Sequence, residues 1–110
     1  NGQNINGINV LALKGTFIAE VVKNAAFLAK QECTNTAFVA ATHIDGKPTL
    51  TLMYTDDLVA KGANAGKDIR EAAKLINGGG GGQPGLATAG GKNVEGLDEA
   101  FNKLIELATK

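Results

Sequence analysis

The sequence GGGGGQPGLATAGG, residues 78–91, is the most informative stretch of this 110-residue chain. Five glycines in a row lose backbone entropy on folding and bury no side chain. A flexible linker would continue into polar, low-complexity sequence, whereas small residues and an amphipathic segment follow here. We therefore predict an ordered glycine loop whose backbone N–H groups form a concave nest for an anion or lie against a sugar–phosphate chain. The alternative is a tight turn packed on the protein's own sheet.

Helical patterns flank this stretch on both sides. Upstream, apolar residues three and four apart and a left-handed stop at Asn77 and Gly78 predict a helix over 68–76. Before it, Asp56 and Asp57 begin a short helical turn that two glycines interrupt. Downstream, residues 86–89 predict a strand. The final helix is predicted from the apolar stripe Val94, Leu97, Phe101, Leu104, Ile105 and Ala108.

The first half of the chain supplies further strands and one more helix. Residues 5–13 alternate between two apolar faces, which predicts one strand covered on both sides. Residues 36–43 and 48–55 are rich in β-formers and flank an Asp-Gly turn at Asp45 and Gly46, which predicts a β-hairpin. The first helix is predicted from the stripe Ile18, Val21, Val22, Ala25, Leu28 and Ala29.

The predicted order is β-α-β-β-α-(Gly loop)-β-α, in a single globular domain over residues 1–110. This order indicates an α/β fold, a two-layer sandwich of a small mixed β-sheet and about three helices. Eleven basic and eleven acidic residues cancel. A whole-domain basic field for strong nonspecific nucleic-acid binding is therefore excluded, whereas a local basic patch is not.

Composition also bears on the compartment and on completeness. Apolar stretches are far shorter than the ~20 residues that span a bilayer, so we expect no membrane contact. The single cysteine, Cys33, cannot form an intrachain disulfide, which favours the cytoplasm. The chain begins with Asn1 rather than Met, so we expect it to be a piece of a longer protein.

Few side chains are suited to catalysis. His43 is the only histidine and Cys33 the only cysteine, so we predict neither a catalytic site nor a metal site. We interpret His43 as a polar residue beside a turn and Cys33 as an incidental thiol at a helix end. Asp56 and Asp57 could act as a carboxylate pair, but charges at a helix start are the favoured interpretation.

Cations gather around the glycine stretch. Lys67, Arg70 and Lys74 are three and four residues apart, on one exposed side of the predicted helix, and Lys92 follows the glycines. We hypothesise that they bind RNA backbone together with the glycine N–H groups; the alternative is a solvated helix face. The complete predicted set is Lys67, Arg70, Lys74, Gly79, Gly80, Gly81, Gly82, Gln83 and Lys92.

Aromatic side chains are scarce, with four Phe, one Tyr and no Trp. Phe38 and Phe101 belong to predicted core patterns, which leaves Phe17 and Phe27 as candidates for exposure. This composition favours recognition of a structured nucleic acid by shape and phosphate over recognition of splayed bases.

The glycine stretch resembles the signature of the DHH-associated domain, in the form found at the C-terminus of bacterial alanyl-tRNA synthetases. The shared features are the glycine run 78–82, Pro84 and the Ala-x-Ala-Gly-Gly pattern over 87–91. YTDDLVAKGANAGKDIREAAKLI, residues 54–76, is similar to the segment before that signature. Asp45, Gly46 and Lys47 match its hairpin turn, so the resemblance covers essentially the whole chain.

The resemblance implies a non-catalytic module that binds and positions alanine tRNA, tRNA(Ala). The parent would use it during ATP-dependent alanine attachment and during editing of mischarged tRNA. This piece would hold no cofactor or metal, whereas the catalytic and editing domains of the same chain would use ATP, Mg and Zn. The resemblance also implies a parent homodimer joined through a neighbouring helical segment.

Two places depart from the related patterns. DHH phosphoesterases typically have His after the glycine run, where this chain has Gln83 and Pro84. Synthetases often have an acid or His and then an apolar residue where this chain has Gly85 and Leu86. Three alternatives stay open: the substrate-holding domain of a DHH-family phosphoesterase or nuclease, the C-terminal domain of a freestanding alanyl-tRNA editing protein, and a structural or dimerisation unit.

Overall fold

A six-stranded β-sheet forms the centre of the computed structural model, which describes residues 2–5, 7–17, 19–44 and 46–109. The order of the strands across the sheet is β1-β2-β3-β4-β6-β5. Strands β2 and β3 are parallel and all other neighbours are antiparallel. The strands are β1 Gly2–Ile5, β2 Ile8–Gly15, β3 Thr36–Ile44, β4 Lys47–Tyr54, β5 Gly79–Gln83 and β6 Leu86–Gly90.

Helices cover both faces of the sheet. They are α1 Ala19–Glu32, α2 Asp56–Ala60, α3 Ala65–Ala73 and α4 Leu97–Ala108, with 3₁₀ helices at Lys74–Ile76 and Val94–Gly96. On one face, α1 packs against β3 and β4 through Val22, Ala26 and Ala29. On the other face, α3 and α4 bury the larger core, which includes Val39, Leu52, Ile69, Ile76 and Leu104.

The mixed α/β class is confirmed, with one correction to the layering. We predicted two layers, whereas the sheet is the middle of three. The cause lies in the central strands, since Val39 and Leu52 enter one core while Phe38 and Met53 enter the other. Strands that are apolar on both faces need helices on both faces to remove those side chains from water.

The segment that we predicted as a single strand over 5–13 is a hairpin. Strands β1 and β2 pair antiparallel, and Ile5 lies opposite Ile8. Gly7 has φ 84°, in the left-handed region that glycine adopts readily. The Asn-Gly pair at 6–7 between two isoleucines is the sequence signal for this turn, although residue 6 itself lies outside the described residues.

The buried side of α1 also differs from the predicted stripe. Val22, Ala26 and Ala29 are buried, whereas Val21 is 47% exposed and Leu28 is 59% exposed. Residues 21 and 28 are two turns apart and lie on the same side of the helix. The sheet contacts only the neighbouring row, so this side of α1 faces solvent. Ile18, the first member of the predicted stripe, lies outside the described residues.

The other predicted elements are confirmed with shifted bounds. The hairpin of β3 and β4 forms as predicted, although Asp45 of its turn is outside the described residues. The helix predicted over 68–76 begins earlier, at Ala65, because the Asn64 side chain accepts a hydrogen bond from the Lys67 N–H. Asn77 has φ 51° and provides the predicted left-handed stop.

The glycine run forms an edge strand, so the predicted loop with a nest of N–H groups is wrong. Strand β5 pairs antiparallel with β6 along its whole length. The turn between them is held by two backbone bonds, in which the Ala65 N–H donates to the Pro84 carbonyl at 2.9 Å and the Tyr54 N–H donates to the Gly85 carbonyl at 3.0 Å. The hairpin is thereby attached to the start of α3 and to the end of β4.

Close backbone packing explains why glycines fill this strand. A Cβ on Gly80 would collide with the backbone of β6, and a Cβ on Gly82 would lie 2.6 Å from a carbonyl oxygen of the same strand. A Cβ on Gly66, in the first turn of α3, would lie 2.7 Å from the Gly82 carbonyl oxygen. By contrast, a Cβ on Gly79 would meet no atom within 4 Å.

This difference predicts opposite effects of two alanine substitutions in the same strand. We expect Gly80→Ala to lower the free energy of unfolding by about 1–3 kcal/mol, because the methyl group displaces β6. We expect Gly79→Ala to be neutral or to raise it by up to ~1 kcal/mol, because alanine restricts the unfolded chain. Urea unfolding of both variants is the measurement. Equal destabilisation would contradict the packing of β5 described above.

Candidate nucleic-acid interface

The nine residues that we predicted to bind RNA surround the glycine strand, but they do not form one patch. They lie in four places. The first is a depression at the start of β5, and the second is the contact between β5 and α3. The third is a groove beside α1, and the fourth is a cavity near the start of α3. Lysines and a phenylalanine from outside the predicted set complete two of these places.

The depression at the start of β5 has a volume of about 530 Å³. Gly79 and Lys92 of the predicted set line it, together with Lys47 and Asn77. Backbone hydrogen bonds hold this segment, since the Lys92 N–H donates to the Ile76 carbonyl at 2.8 Å. Two ammonium groups beside bare glycine backbone are suited to binding a phosphate.

Arg70 lies against the glycine strand itself. A Cβ on Gly81 would be 3.3 Å from a guanidinium nitrogen of Arg70. The missing side chain therefore leaves room for the guanidinium beside the strand. Lys74 follows four residues later and is exposed, so it extends the positive side of α3.

Gly81, Gly82 and Gln83 also line a groove between α1 and the hairpin of β5 and β6. The opposite wall contains Lys23 and Lys30 of α1, which our sequence analysis did not select. It also contains Phe27, which we had named only as a candidate for exposure. These residues precede β5 by at least 49 positions, so only the sheet order brings them to it.

Lys67 lies apart from the other predicted cations. It lines a cavity of about 370 Å³ together with Lys61, Tyr54 and Asp68. The Tyr54 hydroxyl donates a hydrogen bond to Asp68 Oδ2 at 2.5 Å. Burial raises the pKa of Tyr54 well above its usual range, and the hydrogen bond and the negative charge of Asp68 act in the same direction. Asp68 therefore accepts a bond from the core as well as balancing charge on α3.

The remaining candidates occupy structural positions. His43 is near the end of β3, and Cys33 directly follows α1; both are half-buried. Asp57 lies in the first turn of α2, where hydrogen bonds from the Thr55 side chain and from the Asn35 N–H lower its pKa. Asp56 lies 3.6 Å from Lys30 Nζ. Both aspartates thus begin a helix, as the favoured interpretation held.

The described part of the chain was compared with the requirements of a metal site and of a membrane span. Across the described ranges, no group of three or more His, Cys, Asp or Glu side chains is arranged to hold a metal ion. Within the same part of the chain, none of the helices has the length and apolar character needed to cross a membrane.

The fold defines a mixed α/β domain of a known architecture. It matches the crystal structure of the C-Ala domain from Aquifex aeolicus alanyl-tRNA synthetase with a TM-score of 0.86. The match covers 100% of this chain and 99% of that chain, at 24% sequence identity.

The DHHA1 domain model matches residues 7–110, and the chain belongs to this family. The predicted resemblance to the DHH-associated domain is therefore confirmed. The chain is 54% identical over 109 residues to an alanine–tRNA ligase of Bacteroides thetaiotaomicron and 56% identical to one of Bacteroides fragilis. Each match covers 98% of this chain, and the chain spans about 12% of the length of these relatives.

The bond between Tyr54 and Asp68 predicts a pH dependence of stability. We expect Tyr54→Phe to lower the free energy of unfolding by about 1.5–3 kcal/mol, because the carboxylate loses its donor. Tyr54 keeps its proton in the folded state at pH values where the unfolded chain, with a pKa of about 10, loses it. This contribution is complete below pH ~10 and declines as the pH rises further.

The measurement is urea unfolding of the wild type and of Tyr54→Phe at pH 8 and at pH 11. Tyr54 is the only tyrosine, so the variant has no tyrosine to titrate. Lysines also lose protons near pH 11, and they do so in both proteins, so the variant is the control for their effect on stability. A difference in stability that stays the same at both pH values would contradict the prediction.

Proposed function

We propose that this chain is an RNA-holding module of an alanine–tRNA ligase and that it binds tRNA phosphates along the glycine strand. The observation that carries the proposal is that cationic side chains of neighbouring elements lie beside the bare backbone of β5. Arg70 lies against Gly81, and Lys47 and Lys92 line the depression at Gly79. The ligase names of the relatives support tRNA as the RNA.

The geometry suits one sugar–phosphate backbone that follows the strand. Gly79 and Gly81 are two residues apart, which is ~7 Å along an extended strand. Because neither residue carries a side chain, a phosphate can approach the peptide backbone as well as the neighbouring cation. The zero net charge of the chain means that this local field, and not the whole domain, attracts the RNA.

For the complete protein, we propose the activity that the names of its relatives indicate. It attaches alanine to tRNA(Ala) with ATP and Mg. It also removes wrong amino acids from mischarged tRNA in an editing domain that uses Zn. We place both domains in the same chain as this module, in the cytoplasm, and propose a homodimer joined through a neighbouring helical segment. The phosphoesterase, freestanding editing and dimerisation alternatives are not favoured, since the relatives compared above are ligases.

The test is saturable binding of the folded chain to alanine tRNA, to an unrelated tRNA and to single-stranded RNA at several salt concentrations. We expect alanine tRNA to bind with an affinity that falls as salt rises, with a slope of about −2 to −3 for three phosphate contacts. Arg70→Ala and Lys92→Ala should each reduce this slope by about 1.

Two variants serve as controls with the same change of charge. Lys67→Ala removes a cation that lines the cavity beside Tyr54, and Lys103→Ala removes a cation of α4. We expect both to leave the salt slope unchanged. If the folded wild-type chain binds no tRNA at low salt, or if all four variants behave alike, the proposed function is wrong.

A further inference from the structure

We infer that the groove between α1 and the hairpin of β5 and β6 holds an unpaired nucleotide. Its base stacks on Phe27, and its phosphate is bound by Lys23 and Lys30. The inference rests on the proposed function and adds to it a second contact with RNA. This contact lies on the opposite face of the hairpin from α3, since α3 packs with Ala87 and Ala89 whereas α1 packs on the side of Leu86.

The groove has a volume of about 350 Å³, within the range of ~300–1,000 Å³ for small-ligand sites. The groove lies beside α1, which packs over β3 and β4; on this face of the hairpin, Leu86 is partly buried against the α1 cluster. Thr88 and Gln83 are exposed in the groove, and Leu86 is only half-buried. Gly81 and Gly82 line the groove with bare backbone.

Phe27 supplies the stacking surface. Its side chain is 46% exposed. Burial stabilises a phenyl ring, so an exposed ring has an apolar face available to a base. Lys23 precedes it by four residues and Lys30 follows by three, so all three side chains lie on the same side of α1. An aromatic ring between two cations is the arrangement that proteins use to bind single-stranded nucleic acid.

The charges of the groove favour a polyanion over a peptide. Among the described residues that line it are two lysines and no carboxylate. Lys30 has one acidic neighbour, Asp56, but the Asp56 carboxylate is 90% exposed and lies 3.6 Å away. Such a solvated pair is weak, so a phosphate can compete for the ammonium group.

The Lys30 ammonium group lies close to Gly85, in the turn of the hairpin. A Cβ at residue 85 would lie 2.6 Å from Lys30 Nζ. The absence of a side chain therefore lets the ammonium group rest against the turn of the hairpin.

The experiment measures binding of the chain to alanine tRNA and to a short unstructured RNA that carries 2-aminopurine, whose fluorescence reports base stacking. We expect Phe27→Ala to weaken binding of the short RNA about tenfold without a change in the salt slope. The same variant should also remove the fluorescence change on binding. Phe27→Tyr should retain both, because its ring can still stack. Lys23→Ala combined with Lys30→Ala should reduce the salt slope by about 1, because the two lysines bind one phosphate.

Matched controls separate the groove from the rest of the surface. Leu28→Ala removes another exposed apolar side chain of α1 that lies outside the groove. Lys103→Ala removes a cation on α4. Both should bind both RNAs as the wild type does, and thermal unfolding followed by circular dichroism should show that every variant is folded.

The outcomes distinguish this inference from the proposed function. If the wild type binds no RNA, both fail. If the wild type binds tRNA through Arg70 and Lys92 but the Phe27 and lysine variants of the groove bind both RNAs normally, only the inference is overturned. Equal loss of binding in Phe27→Ala and Leu28→Ala would also overturn it, because the effect would not be specific to the groove.

Discussion

Contact of backbone with backbone around β5 is the constraint on which the rest of the structure depends. Gly80 and Gly82 lie against the backbone of β6, and Gly66 brings the first turn of α3 onto the Gly82 carbonyl. Because these residues have no side chains, the helix approaches the strand closely enough to place the Arg70 guanidinium beside Gly81. Packing and the candidate site therefore have one cause.

An edge strand of glycine is an unusual way to end a sheet. The outer edge of such a strand presents backbone donors and acceptors that can pair with another chain. In this fold α3 covers one face of the strand, and cations lie near both of its ends. Under the proposed function, RNA phosphates would accept hydrogen bonds from the backbone N–H groups that remain accessible on β5. The exposed edge, which in other sheets favours aggregation, would then be a binding surface.

The distribution of charge fits this arrangement. Under the proposed function, a chain with no net charge would attract RNA only where cations gather. Arg70 lies on α3 and Lys74 directly follows that helix. Lys47 and Lys92 line the depression, and Lys23 and Lys30 line the groove. Lys67 lines a different cavity, together with Tyr54 and Asp68.

The sequence by itself determined the α/β class, most helices and strands, the family and the importance of the glycine stretch. These depend on local patterns: apolar spacing, turn residues and a continuous motif. Only the tertiary structure decided that the glycine run is a strand, since glycine has a low intrinsic preference for strands and its pairing with β6 and contact with α3 override that preference. Only the sheet order brought Lys23, Phe27 and Lys30 to the hairpin. Side-chain periodicity is a property of neighbouring residues, whereas strand order depends on pairing between distant ones.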